Sequence, residues 1–153
     1  MLKNIVIGAA MVFSLVMSGC ATVPMAPKED DLALKQFSAP PVDKAGLYIY
    51  RNTFGGQALK KTIYLDGKVI GETANKVYFY KVIEPGEHTL STESEFSDNS
   101  LPFEADGGRN YFAEQYIKVG VFVGGANVKM VGEEKGKKEV LKCNLAMEQS
   151  LID

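Results

Sequence analysis

The sequence predicts a mainly β protein, an antiparallel β-sandwich of about seven or eight strands with a short C-terminal helix and room for a short N-terminal one. Apolar and aromatic residues alternate with period two in short runs. Gly, Pro, Asn and Asp separate those runs at close intervals. Helical patterning is confined to the two ends, which excludes the regular strand–helix alternation of a parallel α/β fold.

The clearest element is a hairpin. Tyr64-Leu65-Asp66-Gly67-Lys68-Val69-Ile70 sets two apolar runs around an Asp-Gly pair, and both central residues of a type I′ turn need φ > 0, which Gly adopts freely and Asp tolerates. A two-residue turn places Leu65 opposite Lys68, Tyr64 opposite Val69 and Ile63 opposite Ile70, with Ile63, Leu65 and Ile70 on one core face. Upstream, Leu47-Tyr48-Ile49-Tyr50-Arg51 reads as the first strand, followed by a Gly55-Gly56 loop. Residues 77–82 are apolar on both faces and belong at the centre of a sheet. Glu84-Pro85-Gly86-Glu87 is a type II turn, with Pro fixing φ and Gly supplying φ > 0, and residues 88–93 leave it as a strand. Leu101-Pro102-Phe103 is an edge strand, because Pro102 cannot donate to an interior ladder. Residues 111–121 form the longest strand, with Tyr111, Ala113 and Ile117 on one side and Phe112, Glu114 and Tyr116 on the other. Gly124-Gly125 ends or bends it, and residues 126–131 return.

From Glu133, acids precede bases in the order a helix dipole favours. Gly136 weakens this helix by about 1 kcal/mol relative to Ala, and Leu141 and Leu145, four apart, are positioned to pack it on the sheet near Val140. At the other end, Asp30 or Asp31 caps a short helix over residues 32–37, ended by Pro40-Pro41, whose Leu34 and Phe37 are spaced to dock.

Ahead of this lies an export signal. Met1-Leu2-Lys3-Asn4 carries one positive charge, residues 5–17 carry none, and Ser18-Gly19-Cys20 supplies small residues at a cleavage site. Such a run spans only ~20 Å as a helix, against ~30 Å of hydrocarbon. Met17-Ser18-Gly19-Cys20 resembles the lipobox of bacterial lipoproteins, with Met17 where Leu is usual. The resemblance implies cleavage between Gly19 and Cys20, and acylation (diacylglyceryl and, as a rule, palmitate) of Cys20. Three acyl chains, at ~0.8 kcal/mol per buried methylene, exceed what stable anchoring needs. Ala21 stands where Asp favours inner-membrane retention, so the implied location is the outer membrane, facing the periplasm. The expected organisation is a signal peptide over 1–19, lipidated Cys20 and a tether with a short helix over 20–42, and a sandwich domain over 43–149. Pro24, Pro27 and the charged run at 28–31 make the tether, able when extended to hold the domain on the order of 35 Å from the bilayer.

The full chain has a formal net charge of −2, which gives no basic excess for nucleic acid. Of its 2 Cys, one is taken by the lipid, leaving Cys143 without an intrachain partner and expected to be buried.

Gly46-Leu47-Tyr48-Ile49-Tyr50-Arg51, the hairpin with its following Gly71-Glu72-Thr73, Tyr78-Phe79-Tyr80 and Glu84-Pro85-Gly86-Glu87-His88-Thr89 together resemble the uncharacterised bacterial lipoprotein family with a DUF2846 domain, from about Ala45 to the C-terminal helix. The turn pattern is also loosely similar to the PEGA module, a small surface β-sandwich. Neither resemblance implies an activity; they imply an envelope lipoprotein.

Residues able to carry chemistry are few. His88 is the 1 histidine, without a Gly-x-Ser-x-Gly elbow around Ser91, Ser94 or Ser97, and is expected to anchor its turn through a carbonyl or Glu87. Glu93, Glu95, Asp98, Glu104 and Asp106 concentrate acid without EF-hand spacing, and no Cys/His cluster exists for zinc. No metal or cofactor is expected. Tyr48, Tyr50, Tyr64, Tyr78 and Tyr80 recur two apart within strands. They either present an outward face able to stack on sugar rings or close a second side of the core. The expectation is a non-enzymatic, membrane-anchored module that binds a protein or organises a complex, with a glycan- or peptidoglycan-binding module using the tyrosines as the alternative.

Overall fold

The structure, a computed structural model, describes residues 21–93, 99–118 and 125–149. Met17, Ser18, Gly19 and Cys20 lie outside the described residues, as do Ser94, Glu95, Ser97, Asp98 and residues 119–124. The elements are α1 (Lys28–Leu34), β1 (Ala45–Arg51), β2 (Lys61–Leu65), β3 (Lys68–Thr73), β4 (Val77–Ile83), β5 (Gly86–Thr92), β6 (Leu101–Ala105), β7 (Asn110–Lys118), β8 (Gly125–Val131), α2 (Glu133–Val140) and β9 (Asn144–Leu145).

The strands form two sheets, one ordered β8-β7-β1-β4-β9 and the other β3-β2-β5-β6. The mainly β sandwich is therefore as the sequence predicts, with one difference: β1 pairs β7 in parallel, and β4 pairs β9 in parallel. Between β1 and β7 the chain makes the whole of the second sheet and β4 of the first, a crossover long enough to return it in the same direction. Pro102 lies on β6, an edge strand, opposite Thr89.

The hairpin turns through Asp66 at φ 51 and Gly67 at φ 75. Leu65 faces Lys68 and Tyr64 faces Val69, but a bulge then shifts the register so that Ile63 faces Gly71 rather than Ile70. Ile63, Leu65 and Ile70 nonetheless all reach the core. The bulge has a packing reason. At the Gly71 position a Cβ would stand 2.7 Å from the Phe79 ring of β4, so only glycine lets the two sheets approach there.

Alternation along the first sheet sorts its side chains into two cores. Leu47 and Ile49 of β1, Val77 and Phe79 of β4, and Ala113 of β7 face the second sheet. Tyr48, Tyr50, Tyr78 and Phe112 face the opposite way, under α1 and α2. Gln115 is completely buried between the sheets, donating from Nε2 to Thr92 Oγ1 at 2.6 Å and accepting from Thr73 Oγ1 through Oε1.

Both helices differ from expectation at their ends. α1 begins at Lys28, so Asp30 and Asp31 lie inside it beside the positive end of its dipole rather than capping it. Leu34 and Phe37 dock as their spacing predicts, Phe37 after leaving the helix at φ 52. α2 stops at Val140, which is fully buried, whereas Leu141 is 56% exposed and Leu145 packs from β9. The segment expected to be a free tether is docked. Ala26 N–H donates to Leu145 O at 3.0 Å, Met147 N–H to Pro24 O at 2.9 Å, and Val23 joins the inter-sheet core.

Candidate functional site

The five tyrosines do not make an outward platform. Tyr48, Tyr50 and Tyr78 are at most 1% exposed, because α1 and α2 cover the face of the first sheet on which they stand. Tyr64 lies on β2 in the other sheet, and only it and Tyr80 remain half-buried. Tyr48 stacks on Phe112 with centroids 5.0 Å apart and planes 10° from parallel. The hydroxyls are bonded: Tyr48 donates to Leu34 O at 2.9 Å and Tyr78 to Asp31 O at 3.4 Å. Burial first of all, then neighbouring groups, raises the pKa of all three.

Over this core, α1 is clamped by a group that its acidic stretch hides among other carboxylates. Asp31 Oδ1 accepts from Leu145 N–H at 3.1 Å and Oδ2 from Lys35 Nζ at 2.8 Å, while the same Nζ donates to Cys143 O at 2.6 Å. The carboxylate is placed by helical spacing, i to i+4, and by the docking of α1 against β9.

The most distinctive surface lies where the described chain starts. Ala21 N–H donates to Gln57 O at 2.9 Å, so the chain joins the fold beside the loop that follows β1. Arg51 organises that loop from within. Its side chain is completely buried without a carboxylate, and its guanidinium donates to Leu59 O at 2.7 Å, Thr73 O at 3.3 Å and Gly56 O. Burial lowers its pKa; three backbone carbonyls accept from its terminal nitrogens in place of water, while Nε is buried without a hydrogen-bond partner among the described residues. Gly56 takes φ +65 in this loop, and Asn52 Nδ2 ties it to Glu139 Oε2 of α2 at 2.7 Å. An open groove results, lined by Ala21, Asn52, Thr53, Phe54, Asn75 and Lys76. Phe54 is 100% exposed at its rim.

Comparison with known sequences places these features. Residues 41–126 match the family described as "Protein of unknown function (DUF2846)". The chain belongs to the DUF2846 family. A relative from Haemophilus influenzae (strain ATCC 51907 / DSM 11121 / KW20 / Rd), described as "Uncharacterized protein", is 54% identical over 134 residues, covering 88% of this chain and 80% of its own length. The DUF2846 match contains Arg51, Phe54 and the tyrosines, whereas α1 with Asp31, α2 and Cys143 lie outside it.

Within the DUF2846 segment, His88 locks two turns together. Nε2 lies 2.8 Å from Glu84 O, a carbonyl that can only accept, and Nδ1 lies 2.7 Å from Asp66 Oδ2. With Asp66 ionised both ring nitrogens donate, so His88 is an imidazolium. Burial by itself lowers its pKa, but Asp66 and the Glu84 carbonyl outweigh that and raise it. The turn is anchored through a carbonyl as expected, with Asp66 of the hairpin in place of Glu87. Asp66 also accepts from Thr89 N–H at 2.8 Å, and these partners together lower its pKa against the effect of burial. Of the acids, Glu95 and Asp98 lie outside the described residues, and Glu93, Glu104 and Asp106 do not converge. Glu93 accepts from Thr62, Asp106 pairs with Arg109 at 3.3 Å, and among the described residues no three His, Cys, Asp or Glu side chains are placed to hold a metal ion.

Sequence reading missed the roles of Arg51, Gln115 and Phe54, and gave Asp31 only a capping role. A charged residue closing an apolar alternating strand was the available signal for Arg51, and glutamine on the apolar side of the longest strand was that for Gln115.

Proposed function

We propose that this DUF2846 protein is a non-enzymatic envelope lipoprotein, anchored through acylated Cys20 in the outer membrane and facing the periplasm, whose sandwich binds a partner protein or organises a complex at the membrane surface. The observation that carries the reading is the junction at residue 21. The lipobox-like Met17-Ser18-Gly19-Cys20 is followed at once by residues already built into the fold, with Ala21 and Ala26 both bonded to the domain. A lipid at Cys20 then holds a rigid body, not a loose leash, against the membrane. The engaged state of His88, both of whose ring nitrogens serve the fold, supports a non-enzymatic role. Burial of Tyr48, Tyr50 and Tyr78 weighs against the glycan-stacking alternative.

Crosslinking in intact cells followed by mass spectrometry tests the reading. A recurrent envelope protein joined to the domain is the expected result, and crosslinks spread evenly over abundant proteins would count against it. Incubation with purified sacculi separates the alternative. Retention no greater than that of a control protein is expected, and strong retention would favour a peptidoglycan module.

A further inference from the structure

We propose that the β1-loop end of the sandwich lies on the bilayer and inserts Phe54 among the acyl chains, so that the protein is held by a lipid and by a side chain in a fixed orientation. This deepens, and rests on, the lipoprotein reading.

A lone exposed hydrophobic residue is ordinary on a protein surface. What distinguishes Phe54, at 100% exposure, is where it stands. Ala21 N–H is bonded to Gln57 O, three residues along the same loop, and Cys20 is one peptide further, ~3.8 Å between Cα atoms. An acylated Cys20 therefore brings the membrane surface to this loop. The docking of residues 21–26 removes the slack that would let the domain turn another face downward. β1 brings the chain to this end from the opposite one, about 20 Å away at strand rise. The exposed Val42, 89% accessible, precedes β1 at that far end.

The loop is also built to present a side chain. Three carbonyls of its surroundings are fixed by the buried Arg51 guanidinium, and Asn52 is fixed by Glu139, so Phe54 is carried on a braced turn. Leu59, on the same loop, is 36% exposed. Two cations complete the end. Lys76 borders the groove with Ala21 and Phe54, and Lys118 closes β7, which runs parallel to β1 and continues past it at the same end. Both are exposed and neither has an ion pair among the described residues. An apolar tip flanked by two lysines with no ion pair among the described residues matches an anionic phospholipid surface: acyl chains for the aromatic ring, phosphates for the ammonium groups.

The sequence contains no Trp, so Phe54→Trp makes a single-fluorophore reporter at an exposed position where the fold is not at stake, and Val42→Trp makes its counterpart at the far end. Each full chain is taken from the membrane fraction and reconstituted in phosphatidylethanolamine–phosphatidylglycerol vesicles carrying brominated acyl chains, with intact mass recorded on the same sample. The expected result is an acylated chain whose residue-54 emission shifts to the blue and is quenched by bromine, while residue-42 emission stays that of a solvated indole. An acylated chain with residue 54 unquenched, or with both positions quenched alike, would overturn the insertion and leave the anchor standing. An unacylated chain would overturn the anchor and the inference together.

Discussion

Replacing Gly136 by Ala separates a local account of α2 from a tertiary one. On helix propensity alone the change stabilises by about 1 kcal/mol. In the structure a Cβ at residue 136 would stand 2.5 Å from Phe112 Cδ1 and closer still to Cγ and Cβ, against an optimal carbon–carbon separation of ~3.5–4.0 Å. Helix or ring must retreat by about 1 Å. The ring has little room to do so, since Phe112 is 1% exposed, stacked on Tyr48 and in contact with Phe37. Overpacking of this kind costs ~1–3 kcal/mol, which exceeds the propensity gain. A net loss of about 1 kcal/mol is expected, or a fall in Tm of ~3–5 °C for a domain of this size. Urea and thermal unfolding of Gly136→Ala should show it at unchanged m. In a Phe112→Ala background the loss should shrink, because Cγ and the ring carbons are gone and only the Cβ contact remains. A higher Tm for Gly136→Ala in the otherwise native chain would refute the packing of α2 on Phe112.

Further outcomes follow from the clamps. Asp31→Ala leaves the largely covered Lys35 ammonium without its carboxylate and Leu145 N–H without an acceptor, and should cost about 2–4 kcal/mol by urea unfolding; a loss under ~0.5 kcal/mol would contradict the clamp. His88 contributes stability that is complete below its ordinary value of 6.5 and fades as pH rises through its raised folded value. Asp66 contributes above its ordinary 3.8, and that share is lost as pH falls through its lowered folded value. The stability gap between the native chain and His88→Gln should therefore be widest between those two ordinary values and shrink in alkali. A gap unchanged from pH ~5 to pH ~9 would contradict the charged pair. The Cys143 thiol, 1% exposed and pushed up to about 12 by burial and then by Glu139, should resist iodoacetamide in the native chain and react fully once unfolded. Alkylation of the folded chain at the unfolded rate would place it elsewhere.

How far the sequence carries depends on how local the determinant is. Asp66-Gly67 and Pro85-Gly86 announce their turns because positive φ is a property of single residues, and Gly86 indeed takes φ +123. The alternation of β1 and β4 marks two buried faces, but it cannot say that helices rather than a second sheet cover the tyrosines. The parallel neighbours β7 and β9 depend on which sheet each intervening strand joins, a choice made by long-range packing. The bulge opposite Gly71 depends on Phe79, eight residues later in another sheet. At the candidate site, Gly55-Gly56 flags a loop, yet its bracing by Arg51 and the bond from Ala21 to Gln57 join residues whose proximity exists only in the fold. The docking of the tether segment was hidden for the same reason: Val23 and Ala26 look unexceptional beside prolines until β9 and the core meet them.

The anchor at Cys20 is the claim on which orientation, location and partnership all rest, and intact mass of the protein from the membrane fraction tests it most directly. A chain starting at Cys20 and heavier by a diacylglyceryl group and an amide-linked acyl chain is the predicted result. A chain starting at Met1, or one cut elsewhere and free of lipid, would contradict it.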